Sequence, residues 1–475
     1  MLASVSLNNR TMCSQASSTS AETPQKIALI LGNQHFRQDY GIKYAYLTGA
    51  MYRGIASKEL VVRMGKAGLM GYLGTAGFSL EIIEENIQFI QKQLDKDNSY
   101  GMNLLSNVVE PEVEMLTVDL FLKYGICFVE AAAFMQITPA LVKYRLLGLK
   151  KGPDQNIQCQ HKVLAKVSRP EVAAAFMAPA PEKIVQSLLE AGSVTAEQAE
   201  WAKAVPMSHD ICVEADSGGH TDMGVPTVLL PAMMSLRKEM QAKFNYKSPI
   251  RIGLAGGIGT PEAAAAAFVM GADFILTGSI NQCTVESGTS DTVKDMLQGI
   301  NVQDTDYAPA GDMFELGAKV QVLRKGVFFP ARARKLYELY TQYNSLDEIP
   351  EKMQRQIQQR YFKKSFDKIW QEAVTYLKRK GRNDEIQRAE MSPKHKMARV
   401  FRWYFFHTNE LAFEGDEANR VDFQVHTGPA LGAFNQWVRG TDLESWRNRH
   451  VDEIAEKLML ATAKLLMEQT QSLVN

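Results

Sequence analysis

The stretch Ile250–Ser279, IRIGLAGGIGTPEAAAAAFVMGADFILTGS, carries the reading on which the fold turns. An apolar run, Ile250–Ala255, leads into the glycine turn Gly253-Leu-Ala-Gly-Gly-Ile-Gly-Thr-Pro261. A helical signal follows over Pro261–Met270, with proline at the helix start, where its missing N–H is not needed. A second apolar run, Phe274–Gly278, ends in Leu276-Thr-Gly-Ser279. A (β/α)8 barrel builds a phosphate cradle from the turns that follow its seventh and eighth strands. In such a cradle the backbone N–H groups of Gly256 and Gly257 face phosphate oxygens, and Gly278 and Ser279 close the second turn. A helix starting near Pro261 adds its positive end.

Upstream, short apolar runs alternate with longer amphipathic stretches, the texture of parallel strands covered on both faces. The candidate strands are Tyr46–Tyr52, Leu69–Leu73, Tyr100–Leu104, Ile126–Ala131, Lys162–Val167, Ile211–Ala215, Ile250–Ala255 and Phe274–Gly278. Between them, Ser79–Leu94 and Pro181–Ala191 carry helical spacing and favourable first turns. This alternation predicts an α/β fold, a (β/α)8 TIM barrel, rather than an open doubly wound sheet. A chain of 475 residues exceeds the roughly 250 of one barrel, so an added domain is expected. We place a disordered leader at 1–25, the barrel at 26–324 and a mainly helical substrate domain at 325–425. A C-terminal segment, 426–475, is expected to pack back on the barrel. Within these regions, 285–315 reads as loop with a short helix, 421–441 as loop, and 443–472 as an amphipathic helix.

Composition narrows the class. Lys+Arg and Asp+Glu both number 53, which argues against a nucleic-acid binder. The five cysteines are scattered, with no C-x-x-C pair, so a disulfide framework or zinc site is not expected and a reducing, cytoplasmic compartment is. No run of about 18 apolar residues suggests a membrane span.

The stretch Glu214-Ala-Asp-Ser-Gly-Gly-His-Thr221 follows the sixth candidate strand, where barrel enzymes place their chemistry. Gly218 and Gly219 let the backbone approach a flat ligand, and His220 can exchange a proton near neutral pH. At the end of the first strand, Gly49, Ala50 and Met51 are small or flexible enough for a ring system to lie against them, or simply pack the core. Asn103 and Lys166 are polar side chains near strand ends, facing a ligand or paired structurally; Glu130 ends the fourth strand in the same way. A lysine beside a flavin ring stabilises its anionic reduced form.

A barrel with G-A-M near its first strand, G-G-H after the sixth, A-G-G-I after the seventh and T-G-S after the eighth resembles the nitronate monooxygenase and FMN enoyl reductase superfamily. Within it, EADSGGHTD (214–222), KVSRPEVA (166–173), LTGSINQCTVESGTSD (276–291) and GPALGAFNQWVRGT (428–441) resemble the trans-acting enoyl reductases of polyketide and polyunsaturated fatty acid synthases. The resemblance implies FMN held through its phosphate by Gly256, Gly257, Gly278 and Ser279. It also implies NADPH as reductant and an enoyl thioester on acyl carrier protein as substrate. The family's active-site histidine maps onto His220, as hydrogen-bond donor to the thioester carbonyl or as proton donor. The sequence leaves the oligomeric state open, with a homodimer as the expectation.

The basic residues Lys378, Arg379, Lys380, Arg382, Lys394, Lys396, Arg399 and Arg402 either face an acidic carrier protein or form a solvated helix surface. The remaining histidines show no ligand spacing and read as structural. Two alternatives stay open: a nitronate monooxygenase-like flavoenzyme, and a non-catalytic carrier-protein partner. An inosine monophosphate dehydrogenase-like enzyme needs a loop cysteine, and Cys283 sits too close behind the eighth strand.

Overall fold

Phe36, in the helix Gln34–Tyr40, stacks flat on Phe274 with ring centroids 4.2 Å apart, and Tyr40 stacks on Phe36 at 4.4 Å. A computed structural model, describing residues 19–153 and 155–474, places this aromatic plug across one end of a closed parallel barrel. The barrel strands are β1 (Tyr46–Thr48), β2 (Met70–Leu73), β3 (Gly101–Leu105), β4 (Phe128–Ala132), β5 (Lys162–Val167), β6 (Asp210–Glu214), β7 (Arg251–Ala255) and β8 (Ile275–Thr277). Each pairs in parallel with the next, and β1 closes on β8 with Tyr46 opposite Ile275 and Thr48 opposite Thr277. All eight expected strands are therefore present, and the α/β barrel is borne out. The first is shorter than expected: after Thr48 the chain leaves the sheet and makes a 3-10 turn at Tyr52–Gly54.

Below the plug, the N-terminal strand ends carry a buried ion network. Arg251 donates to both oxygens of Asp210, at 2.5 and 2.9 Å, and to Asp39 at 2.9 Å. The Tyr40 hydroxyl donates to Asp210 at 3.0 Å. Burial works to lower the Arg251 guanidinium, but Asp210 outweighs it and holds the group above its ordinary range. With this end closed by aromatic and ionic contacts, the open end is the C-terminal mouth.

The helices expected at 79–94, 181–191 and 261–270 appear as Leu80–Gln93, Glu182–Glu190 and Pro261–Val269. The long C-terminal helix, Val451–Val474, lies against Thr19–Ile30 and Pro261–Val269. That contact explains a difference from expectation. Residues 1–18 lie outside the described residues, but 19–25, read as the end of a disordered leader, begin a helix that buries Ala28.

A second core, around Phe314, Phe329, Leu336, Phe401, Tyr404 and Phe405, builds the helical lobe. Its longest helix, Pro393–Glu414, starts with Ser392 accepting from the His395 N–H and stops at Gly415 in the left-handed conformation. The lobe core reaches back to Ala308, earlier than the expected start at 325, because an antiparallel hairpin, Thr305–Pro309 with Lys319–Leu323, belongs to it. The loop reading of 285–315 misses the first strand of that hairpin, because five residues of weak alternation become a strand only once Lys319–Leu323 pairs with them. The loop reading of 421–441 is also corrected. Residues Pro429–Trp437 form a helix, and Gly432 stands inside it because a Cβ there would meet the Asn301 backbone at 2.2 Å. No helix among the described residues is long and apolar enough to cross a membrane.

Replacing Asp210 by alanine leaves Arg251 buried without its main partner. The expected cost is about 3–5 kcal/mol of unfolding free energy. Chemical denaturation of Asp210→Ala against the unaltered chain measures it, and a loss below about 1 kcal/mol contradicts the account.

Candidate functional site

The turns after β7 and β8 meet at the mouth. Gly256 and Gly257 take φ of +86° and +76°, a region that disfavours side chains. A Cβ on Gly256 would stand 2.6 Å from the Ala215 carbonyl oxygen, whereas Gly257 and Gly278 face open space. The segment 427–430 comes in over these turns. The Gly428 N–H donates to Ser279 Oγ at 3.1 Å, and a Cβ on Gly218 would meet Thr427 Cα at 2.7 Å. Thr427 Oγ1 and Gln321 Oε1 are buried here without hydrogen-bond partners. The fold thus brings Gly218, Gly256, Gly257, Gly278 and Ser279 to one mouth, together with a C-terminal segment that the sequence did not place there.

On the β1 side, the Gly49 N–H donates to the Thr277 carbonyl at 2.9 Å, and the Ala50 N–H donates to Glu130 Oε2 at 2.8 Å. Met51 follows, half-buried. Glu130 is fully buried, with its other oxygen 3.0 Å from the Lys166 ammonium, which also lies 3.5 Å from Glu214. Burial works to lower Lys166, but the two carboxylates outweigh it, so the amine is held above its ordinary range and stays charged. Asn103 donates its amide to the Glu130 carbonyl at 3.1 Å. Both polar residues singled out in the sequence are therefore tied to Glu130, whose own signal in the sequence is weaker than theirs.

His220 stands on a two-residue strand, Gly219–His220, that pairs antiparallel with Lys319–Leu323, His220 opposite Val320. Its Nε2 lies 2.8 Å from Asp312 Oδ1, at a half-exposed position. Burial works to lower this imidazole, but Asp312, with help from Glu214, raises it above the ordinary histidine value. Burial likewise works to raise Asp312, and His220 holds it below the usual carboxylate range. Beside them, His426 is pushed down to about 4 by burial and by the charge of His220, and Gln424 donates to its Nε2 at 2.7 Å. The mouth thus holds one histidine raised above its ordinary range and one held well below it.

The quoted motifs hold one another. Asp222 of EADSGGHTD accepts from Arg169 of KVSRPEVA at 2.8 Å and from Ser168 Oγ. Asp216 accepts from Thr221 at 2.7 Å, from Gln321 at 3.2 Å and from the Tyr307 hydroxyl. Asp312 and His426 escape a sequence reading because neither sits in a motif, and His426 reads there as structural. Cys283 is buried and pushed up to about 11 by that burial, which suits packing and not nucleophilic attack. Much of the basic cluster is internally engaged. Arg382 and Arg399 pair with Glu385, Arg402 lies 3.8 Å from Glu315, and Lys394 donates to the Tyr340 and Tyr343 carbonyls.

A closed barrel with glycine turns and a histidine–carboxylate pair at its mouth defines a β/α-barrel protein that carries its site on the loops after the strands. Residues 343–423 match the model of the inserted helical domain of [acyl-carrier-protein] S-malonyltransferase. The chain is 48% identical to the crystallised enoyl reductase domain of MlnA from the macrolactin cluster of Bacillus amyloliquefaciens, covering 94% of this chain and 99% of that one with a TM-score of 0.90. It is 56% identical to the polyketide biosynthesis protein PksE of Bacillus subtilis over 93% of its own length, and 42% identical to a component of the polyunsaturated fatty acid synthase of a Thraustochytrium over 87%. It spans 57% of the former and 28% of the latter. FabK of Thermotoga maritima, at 17% identity and a TM-score of 0.53, shares the fold. The chain belongs to the family of the MlnA enoyl reductase domain.

Two glycine variants separate strain from open space. Gly256→Ala forces a methyl against backbone at positive φ and is expected to cost roughly 1–3 kcal/mol. Gly278→Ala places its methyl in open space at a negative φ, so its melting midpoint stays where it was. Thermal melts of both proteins check the pair, and an unaltered midpoint for Gly256→Ala contradicts the geometry.

Proposed function

We propose that this chain is an enoyl reductase acting on α,β-unsaturated acyl thioesters carried by an acyl carrier protein, with FMN as cofactor and NADPH as reductant. The observation that carries the reading is the His220–Asp312 pair beside a glycine cradle, in a chain so close to an enoyl reductase domain. The residues present fit FMN. Gly257 and Gly278 leave room over their backbone, and Thr427 and Gln321 bring buried polar atoms that want partners. Gly256, Gly257, Gly278 and Ser279 would hold the phosphate, and the backbone of Gly49, Ala50, Met51, Gly218 and Gly219 would border the ring. When bound, FMN relays hydride from NADPH to the β-carbon of the thioester.

The protein's own part is to orient and to move a proton. Lys166 keeps a positive charge inside the barrel, partly balanced by Glu130 and Glu214. Asn103 braces Glu130, which in turn fixes the Ala50 N–H. His220 donates a proton toward the α-carbon, or a hydrogen bond to the thioester carbonyl, from the rim of the mouth. The helical lobe supports a carrier-borne substrate, since its matching model comes from an enzyme named for acyl carrier protein.

The test follows the visible spectrum of the chain loaded with FMN. Anaerobic NADPH should bleach it, and a crotonyl thioester on a carrier protein or pantetheine mimic should restore the colour. His220→Ala should bleach normally and recover about 10²–10⁴-fold more slowly. Gly278→Ala should take up FMN at least tenfold more weakly, a loss of about 1.4 kcal/mol. Protein that takes up no FMN sinks the reading. Bleaching absent with NADPH, but present with a nitronate, gives the chain a different activity.

A further inference from the structure

We propose that Asp312 is a positioning residue that holds the His220 ring with Nε2 toward its carboxylate, leaving Nδ1 as the nitrogen that meets the substrate. This rests on the reading of His220 above and adds the residue, the nitrogen and the part of the fold that sets them.

The geometry supports each piece. Nε2 is engaged by Asp312 at 2.8 Å, and Nδ1 makes no hydrogen bond among the described residues. The two partners reach the site from different parts of the protein. His220 comes from the loop after β6 and is held by backbone pairing with Val320. Asp312 sits in the turn of the hairpin Thr305–Pro309/Lys319–Leu323, whose next residues enter the lobe core. Phe314 is fully buried there, and a Cβ on Gly311 would stand 2.5 Å from Phe405 Cβ. Asp312 is thus held by packing against the helix Pro393–Glu414, and the lobe decides where its carboxylate points.

The surrounding charges are consistent with a fixed pair. Glu214 from β6 acts on His220 in the same sense as Asp312. His426, from the segment before Pro429–Trp437, is pushed down to about 4 by burial and by His220, and acts on Asp312 in the same sense as His220 does. Further out, the Asp312 carboxylate works to raise Arg402 of the helix Pro393–Glu414 and Tyr52 of the loop after β1.

A carboxylate on one ring nitrogen selects the tautomer and orients the other nitrogen, as in any base held by a third group. The chemical step balances on that basis. A bound flavin would supply the hydride that bonds to the β-carbon, and the C=C electron pair would then move toward the carbonyl as an enolate. The enolate then takes the proton from His220 Nδ1, forming the α-C–H bond and breaking N–H. The imidazole is left neutral with its remaining proton on Nε2, and Asp312 stays ionised throughout.

The experiment titrates the histidines of the full chain, without flavin, by NMR of labelled imidazole nitrogens, using His220→Ala to assign the signal. The unaltered protein should show the neutral ring protonated on Nε2. In Asp312→Asn the midpoint should fall by about one pH unit or more, and the tautomers should become mixed. Asp312→Glu should restore part of the shift. In the loaded enzyme, Asp312→Asn should bleach with NADPH at the ordinary rate and lose rate in the recovery step, with KM little changed. A neutral His220 protonated on Nδ1 in the unaltered chain overturns the proposal, even if Asp312→Asn fails to fold. So does a folded Asp312→Asn that titrates as before. Because the titration needs neither flavin nor thioester, a failure of the proposed activity is seen separately.

Discussion

The mouth of this barrel depends on one short piece of backbone pairing. Gly219 and His220 lie opposite Gln321 and Val320, and that two-residue ladder joins a barrel loop to a hairpin rooted in a different hydrophobic core. Without it, the loop after β6 would be a free glycine-rich turn, since Gly218 and Gly219 resist little by themselves. With it, His220 sits beside Asp312, Asp216 receives Gln321 and Tyr307, and Thr427 can close against Gly218. The added lobe is therefore structural material for the site as well as a wall beside it.

Two charge groups at different depths divide the electrostatic work. Inside the barrel, Lys166 is buried between Glu130 and Glu214, and a buried ammonium persists only when it is paired this way. At the rim, His220 and Asp312 are half-exposed, so their interaction is softer and their protons can exchange with solvent or substrate. The deep group holds charge still, whereas the rim group can change its charge within a usable pH range. His426 remains neutral between these regions, because burial and the neighbouring His220 both oppose its protonation.

Much of the barrel is legible in the chain. Each strand is covered on both faces and so reads as a continuous apolar run, and β5 even keeps the expected bounds Lys162–Val167. The glycine turn at 256–257 is legible because positive φ selects glycine. The helix Pro429–Trp437 is hidden because Gly432, which packing against Asn301 demands, looks locally like a loop residue. The hairpin strands are hidden because their signal is spread over a few residues, and the other partner of Lys319–Leu323, at 219–220, is some hundred positions away.

The layout of the barrel, the glycine turns at its mouth and the histidine after the sixth strand are all written in the chain. Periodicity and backbone conformation are local properties, written in neighbouring residues. What that histidine touches is set by the folded chain. Asp312 lies 92 positions from His220, and their contact follows from how the lobe core packs Phe314 and Phe405 and carries the hairpin turn over the barrel. Lys166 is similar: its residue type is plain in the chain, but its state depends on Glu130 and Glu214 arriving from other strands. Such pairings depend on burial and distance in space, which no local pattern encodes.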